Sequence, residues 1–596
     1  MNLSRFITYC LGSLAILPVM AEKSTPTTQN IYPVGVYQEL PNPTATDVTA
    51  WKNIKSVKTG WGDSNTRYAK ELPASGFRKQ LSLKGWKGEK VSAQLVVSTP
   101  DAIERFNYVI SPLVHTSDKG KRIDGDAISQ GFVRYVMTDE LNKDGKGGCG
   151  HRPDASVYDS SLVADPIDHL NKTLPLSAQT SQGGWVSIQI PGDAQPGTYR
   201  GKVSVRNGEK ELSSLDLSVE VIDRTLAAPS EWSYHLDLWQ NPFATARYYN
   251  VQPWSDEHFE AMRPDMELYA KAGGKVITTS IMHKPWNGQT YDYFESMVTW
   301  MKKADGTWYY DFTVFDKWVE FMMSVGVKKQ IACYSLIPWH LSFQYFDQAT
   351  NSFKFLNTEP GKPEFAQHWG GMLKAFAAHL KQKGWFEITH ISMDERGMEA
   401  MLATLNVIRE ADPEFKISMA GTLFPELEEE LDDYCVALQH KFTPEILRAR
   451  KDKGQVSTYY TSCTEIYPNT FTFSAPAECE WLAWYAAKEG FEGYLRWALN
   501  SWVAQPLQDS RFHTWAAGDT YMIYPGGRTS MRYEKMIDGI QAYEKIQTLK
   551  AEFERKNDKG SLRKLQKALD LFQLEALENT PAAQMTVKAN QILNSL

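Results

Sequence analysis

A chain of 596 residues is more than one hydrophobic core organises, so several domains are expected. With 42% hydrophobic and 23% charged residues it has the composition of a globular protein, and a net charge of −7 without a long Lys/Arg run argues against nucleic acid as a partner. Aromatic residues are the outlier, with 19 Trp and 28 Tyr; sugar-binding clefts use such rings as platforms, and large cores use them too.

The chain opens with "MNLSRFITYCLGSLAILPVMAEKS". Arg5 gives a short basic start, Phe6 to Met20 are largely apolar, and Val19-Met20-Ala21 resembles a small-residue cleavage site. Residues 1–21 therefore read as a secretory signal peptide cleaved after Ala21. The apolar run is short for a bilayer span, and no other segment reads as membrane-spanning. The mature protein is expected to be exported and soluble, in the periplasm, at the cell surface or secreted. Beyond Cys10 the cysteines are Cys149, Cys333, Cys435, Cys463 and Cys479. An odd number leaves at least one free thiol, and no C-x-x-C pair supports a zinc ribbon or redox motif. Cys463 and Cys479 could pair in an oxidising compartment, with buried free thiols expected for most of the others.

Residues 22–225 read as an all-β domain. "KVSAQLVVST" and "LDLSVEVID" alternate as half-buried strands do, and "WVSIQIPGDAQPGTYRGKVSV" is two strands joined by a Pro/Gly turn, which predicts a β-sandwich. Asn142 to Leu174 reads as a long irregular loop, and "RTLAAPS" as a linker. Over residues 230–535 the rhythm changes. About eight β-like runs, from "SYHLDLW" and "KVITTSIMH" to "GYLRWAL", alternate with helical stretches such as "FDKWVEFMMSVG" and "AECEWLAWYAAKEG". That alternation predicts a (β/α)8 TIM barrel; a doubly wound sheet is the alternative, weakened because no Gly-rich nucleotide turn follows the first strand. Residues 536–596 are charged and helical in spacing, and are expected to pack on the barrel. The fold class is thus multidomain, an all-β sandwich followed by an α/β barrel with C-terminal helices.

Active sites of such barrels gather at the C-terminal strand ends. Those ends carry His235, Asp237 and Trp239, then His283 and Trp286, then Tyr334 and Trp339, then Asp394 and Glu395, then Tyr460 with Asn469 in the following loop, and last Trp497, Asn500 and Trp502. Rings for a sugar face, amides and imidazoles for hydroxyls, and acids for a glycosidic bond make the inventory of a pyranoside pocket. His235, His283 and His340 show no H-x-H or H-E-x-x-H spacing, so no metal or other cofactor is expected. Any single ring here is more often core than ligand contact, and Asp394 could cap the helix that begins near Met398.

The acid pair sits in "FEITHISMDERGMEA", after an apolar strand and before Gly397. Ordinary retaining glycosidases set two carboxyls about 5–5.5 Å apart on different strands, which consecutive residues do not easily do. Successive strand side chains also point to opposite faces, so the strand must end or bulge for both acids to share one pocket. Neighbours suit another mechanism. A 2-acetamido group on the sugar can supply its own nucleophile, while one acid orients it and the other moves the proton. Repulsion between the two then helps, because it keeps a proton on one acid while its neighbour stays charged.

The blocks "HLDLWQNP", "HKPWNGQTYD", "CYSLIPWH", "SMDERGME", "YYTSC", "YPNTF", "GYLRWALNSW" and "GDTYMIYPGGRTSMRYEKMIDGI", in this order over Trp232 to Tyr543, resemble glycoside hydrolase family 123, bacterial retaining β-N-acetylgalactosaminidases. The sandwich with "IPGDAQPGTYRG" is similar to the module before the barrel in that family. The resemblance implies neighbouring-group participation through an oxazolinium intermediate, with Asp394 orienting the acetamido group and Glu395 as acid/base. It places pocket residues on Tyr334, Tyr460, Trp497, Asn500 and Trp502, and implies terminal β-linked GalNAc of glycosphingolipid-type glycans as substrate. A basic residue belongs near Glu480 in the family pattern, and "ECEWLAW" departs from it. A GlcNAc-specific hydrolase of the same mechanism and a non-catalytic exported glycan-binding protein are the alternatives. No motif indicates an oligomeric state.

Overall fold

The computed structural model describes residues 37–44, 47–139 and 160–596. The expected signal peptide, Cys149 and residues 142–159 of the expected loop lie outside the described residues. The remainder of that loop is not irregular. It contains the strands Ser161–Asp168 and Leu174–Leu176, a correction to the reading of Asn142 to Leu174. Asp165 and Asp168 hide the apolar pattern of the first of these, and both are buried because arginines meet them.

The N-terminal domain is two stacked sheets. One runs in the order Lys58–Trp61, Lys90–Thr99, Thr180–Gln189, Ile128–Thr138, Ser161–Asp168 and Thr529–Ser530. The other is built on Gln80–Lys87, Lys210–Thr225, Gly197–Asn207, Ile103–Ile110 and Leu174–Leu176. Alternating residues such as Leu95, Val97, Val203, Val205, Leu215 and Leu217 meet between them. The last strand of the first sheet comes from beyond the barrel strands, so the sandwich is completed by the far end of the chain.

The barrel strands are β1 (His235–Leu238), β2 (Val276–Ser280), β3 (Gln330–Tyr334), β4 (Thr389–Met393), β5 (Lys416–Gly421), β6 (Asp433–Ala437), β7 (Val456–Tyr460) and β8 (Gly493–Arg496). All neighbouring pairs are parallel, from β2 through β8 and on to β1. Between β1 and β2 the backbone contributes a single bridge, Leu236 to Gly274, and a bond from Lys275 N to Leu236 O of 3.0 Å. Side chains complete this seam. The Tyr269 hydroxyl donates to Leu236 O at 3.0 Å, and the Gln240 amide accepts from Thr278 N at 2.9 Å and donates to Val276 O at 3.1 Å. Close approach of β8 to β1 requires Gly493, since a Cβ there would lie 2.0 Å from His235 O.

A separate four-stranded sheet stands beside the barrel. Thr299–Lys302 and Trp308–Asp311 come from the segment after β2, and Ser342–Asp347 and Ser352–Asn357 from the segment after β3. Trp300, Trp308 and Phe343 on its inner face pack against His368 and Trp369 of the helix Pro363–Lys383, and Tyr345 packs on Trp308.

The helix Met531–Arg555 is the barrel's eighth, buried along most of its length against the helix Pro476–Glu489, with Lys559–Leu569 and Ala582–Leu593 beyond it. Glu480 is paired with Lys535 of that helix at 3.4 Å and bonded to Asn590 at 2.5 Å. Sandwich and barrel are joined by buried charge. Asp165 bonds Arg532 at 3.0 Å, Arg67 at 3.0 Å and the Tyr524 hydroxyl at 2.6 Å. Asp168 bonds Arg528 at 2.8 Å and Arg134 at 3.3 Å. Burial alone would raise the Asp165 carboxyl, but Arg532 and Arg67 outweigh it and hold it below the usual carboxylate range.

Removing one partner of this network strands a buried charge. Asp165→Ala is therefore expected to cost about 3–5 kcal/mol of stability. Differential scanning calorimetry at pH 7 checks this, and an unchanged unfolding temperature would show that the network does not hold the two domains together.

Candidate active site

β4 stops at Met393, and Asp394 and Glu395 follow outside the ladder. That is how two successive side chains come to one end of the barrel. Gly397 is the N-cap of the helix Met398–Ala411 and no side chain caps it, so Asp394 is released from the capping role. Its carboxylate is held by two donors. Oδ1 accepts the Glu395 backbone N–H at 2.9 Å, and Oδ2 accepts Trp339 Nε1–H at 3.1 Å. Arg396 pins the arrangement from outside. Its guanidinium stacks 4.4 Å from the Trp339 ring centroid, and its Nε donates to Ile337 O at 2.8 Å.

Glu395 is exposed, and its Oε1 accepts the Tyr460 hydroxyl from the end of β7 at 2.5 Å. Gly421, at the end of β5, leaves room for it: a Cβ there would come 3.2 Å from Glu395 Cα. The carboxyl of Asp394, the acid expected to carry the charge, is shifted upward. Burial and, next, the neighbouring Glu395 raise it to about 6, against the pull of its backbone bond, Arg396 and Trp339. Burial, followed by the Glu395 charge, pushes the Tyr460 hydroxyl far above its ordinary range.

Close to the pair lie three buried rings. Trp239, Trp286 and Tyr334 stand 4.6 to 4.9 Å apart between centroids. Asp237 Oδ2 accepts Trp239 Nε1–H at 3.3 Å from below. Deeper in the barrel His235 meets Asp433 at 3.4 Å, and Gln330 donates to Asp433 at 2.8 Å. Burial alone would lower the His235 imidazole, but the Asp433 charge outweighs it and raises the ring. Burial, reinforced by Asp433, raises the Asp237 carboxyl to about 7.

The structure thus brings together Asp394, Glu395, Trp339 and Tyr460 at the mouth, with Tyr334 and Trp239 beneath them. Other residues expected in the pocket sit elsewhere. His235 and Asp237 are buried inside the barrel, because β1 turns alternate side chains into the core. Asn500 is fully buried; its amide accepts Asn241 N at 2.8 Å and donates to Asn241 O and Thr245 Oγ1 at 3.3 Å, fastening the turn after β1. Asn469 is also fully buried, donating to Ser462 O at 2.7 Å and Glu465 O at 2.6 Å and accepting Arg496 at 2.9 Å. Trp502 donates to Ile523 O at 2.9 Å and packs on Tyr248 and Tyr249. These three are scaffold. Half-buried Trp497 bonds Asp519 at 3.0 Å and abuts Trp515, and half-buried His283 bonds Glu295 at 2.6 Å. Cys333, Cys435 and Cys479 are free buried thiols, while Cys463 is in a disulfide, so Cys463 and Cys479 are not paired. Arg396 is a site residue beyond those expected, and its place directly after the acid pair is the signal the sequence holds for it.

Among the described residues, no group of three or more His, Cys, Asp or Glu side chains is placed to hold a metal ion. The arrangement offers two adjacent carboxyls of different exposure at one barrel mouth, each with its own oriented partner. No curated protein matches the chain. A family 123 glycoside hydrolase from Clostridium perfringens, whose structure was described for glycolipid glycan hydrolysis, is 26% identical and superposes with a TM-score of 0.79, covering 91% of this chain and 98% of that one. A family 39 glycoside hydrolase from Bacteroides cellulosilyticus WH2 is 11% identical with a TM-score of 0.30, covering 78% and 82%. The pattern for the glycoside hydrolase 123 N-terminal domain matches residues 61–207. That for the glycoside hydrolase 123 catalytic domain matches residues 239–549, more than half of the sequence, and the chain belongs to glycoside hydrolase family 123.

Proposed function

We propose that this glycoside hydrolase is an exo-acting, retaining β-N-acetylgalactosaminidase acting on terminal β-linked GalNAc of glycosphingolipid-type glycans, with the acetamido oxygen of the sugar as nucleophile. The observation that carries this reading is the adjacent Asp394–Glu395 pair just past β4, with Asp394 held by Trp339 and Glu395 reached by Tyr460. The likeness to a glycolipid glycan hydrolase supports the substrate class. The leader-like residues 1–21 support an exported protein.

In the first step Asp394, ionised, accepts the acetamido N–H, and the acetamido oxygen attacks the anomeric carbon as Glu395 gives its proton to the departing glycosidic oxygen. The oxazolinium ring that forms is positive, and Asp394 is the charge beside it. In the second step Glu395 takes a proton from water, the water opens the ring, and the β configuration is restored. A donated N–H favours the charged form of Asp394, so substrate binding itself opposes the burial that raises this carboxyl in the free protein. Tyr460 holds the Glu395 carboxyl in one orientation through both proton transfers. The exposure of Glu395 suits an acid that must meet both an aglycone and a water.

A panel of aryl β-glycosides of GalNAc, GlcNAc and Gal tests the reading. Cleavage of the GalNAc glycoside and inhibition by a thiazoline mimic of the oxazolinium are expected. Preference for GlcNAc would transfer the same mechanism to the other hexosamine. GalNAc binding without cleavage of any glycoside would leave a binding protein. Glu395→Gln is expected to lower kcat on poor leaving groups by on the order of 10²–10⁴-fold. Turnover of a 2-hydroxy analogue at the rate of the acetamido substrate would end the neighbouring-group mechanism.

The pH profile gives a second test. Asp394 works ionised and its carboxyl is raised to about 6, so kcat/KM falls as pH drops through that value. The loss should approach about tenfold per further unit. Asp394→Asn should be slower throughout and lack this acid limb; a limb that persists in the variant would assign it to another group.

A further inference from the structure

The mechanism uses the mouth of the barrel but not the four-stranded sheet beside it. Register puts Tyr309 opposite Met301, Met301 opposite Phe346, and Phe346 opposite Phe353, one apolar row across all four strands. Phe355 lies two residues along on the same face. This is the face turned away from His368 and Trp369, and none of its five residues joins a hydrophobic core cluster. Tyr309 is 45% exposed, Phe353 45% and Phe355 54%. The pattern extends beyond the sheet. Among the described residues, the six large aromatic side chains that are exposed are Tyr293, Tyr309, Trp339, Phe353, Phe355 and Tyr467. All six lie in segments that follow barrel strands β2, β3 or β7, and the inserted strand Ser342–Asp347 begins three residues after Trp339, which bonds Asp394. Isolated exposed rings need no explanation; a set confined to the loops on the substrate side does.

We infer that this aromatic face is a docking surface for the lipid bilayer in which the glycolipid substrate is embedded, an inference that rests on the glycolipid reading above. Such a substrate presents its sugar a short distance above an apolar layer, so a mouth that reaches it brings its own rim to that layer. Phenylalanines enter the acyl boundary, and tyrosines flanked by lysines suit the headgroup level: Lys303 lies 5.8 Å from the Tyr309 ring and Lys284 lies 3.9 Å from the Tyr293 ring. A second copy of the chain fits less well. Four strands about 4.8 Å apart and a few residues deep offer on the order of a few hundred Å², against about 800 Å² per partner in a stable dimer. Charge narrows the class of surface. The four strands and the turns within each pair carry Lys302, Lys303 and Lys354 against Asp305, Asp311 and Asp347, a balance that favours apolar insertion over attraction to anionic lipid.

The test is sedimentation of the mature protein with phosphatidylcholine vesicles, with and without a GalNAc-terminated glycosphingolipid, alongside Phe353→Ser/Phe355→Ser. The native protein is expected to sediment with both vesicle types without needing phosphatidylserine. The double variant should lose binding by about tenfold or more, hydrolyse the vesicle-borne substrate correspondingly slower, and cleave a soluble aryl β-GalNAc glycoside at the native rate. Absence of native binding to either vesicle, native-like binding by the variant, or binding that needs phosphatidylserine and vanishes in salt would each overturn the inference. So would self-association of the native protein, without vesicles, that the variant lacks. Failure of the catalytic reading shows separately, as no cleavage of the soluble glycoside whatever the vesicles report.

Discussion

The hydrogen bond from Trp339 to Asp394 is the contact on which the mouth of this barrel depends. Two consecutive carboxyls repel, and a chain that merely ended its strand there would splay them into solvent. Here the loop after β3 reaches across to the residues after β4. Trp339 donates to Asp394, Arg396 stacks on the same ring, and Arg396 in turn bonds Ile337 on the loop that delivered it. The acid pair and the β3 loop are thereby one unit. What distinguishes the two acids follows: Asp394 is half-buried and doubly bonded, and Glu395 is left exposed under a tyrosine.

That unit rests on a barrel whose closure is unusual at one place. Seven parallel ladders are ordinary, but the join between β1 and β2 relies on Tyr269 and Gln240, side chains that replace missing ladder bonds with their own donors and acceptors. The residues after β1 are then fastened to the end of β8 through Asn500 and Asn241. These contacts explain why amides expected to read sugar hydroxyls are consumed by the fold. A buried carboxamide is costly without partners, and a ring of short strands with long loops supplies many backbone groups that need one.

The alternation of strand-like and helical runs made the barrel legible, because parallel strands buried on both faces read as compact apolar runs. Lys90–Thr99 was legible for the opposite reason, the period-two pattern of a sandwich strand. Ser161–Asp168 was not, since its two aspartates look like loop residues until Arg67, Arg528 and Arg532 arrive from distant parts of the sequence. The inserted sheet was missed although "FQYFDQATNSFKFLN" alternates rings around a polar turn; the expectation of one strand per repeat left no place for it. Within the site, residues adjacent to a strand end by sequence were legible and their facing was not. Asp237 and Trp239 differ by two positions on one face, so both point inward, the acid into the core and the ring under the mouth. Asn469, Asn500 and Trp502 carry the chemistry of ligands, and only their long-range partners reveal that they are fully engaged.

The buried acids beneath the mouth bear on the site through what they do not add. The Asp433 carboxyl is held below its ordinary range, because His235, helped by His390 and Gln330, outweighs the burial that would otherwise raise it. His235 offsets that charge, and Asp237 is raised to about 7 by burial and by the same Asp433. The barrel interior therefore stores its polarity as an ion pair beside a reluctant acid rather than as free negative charge. The leading influences on Asp394 are accordingly local ones: its own burial, Glu395, and the donors around it. A site tuned by its immediate neighbours can hold its acid pair in register with an incoming acetamide, because each group that sets the charge of Asp394 is also a group that fixes where it points.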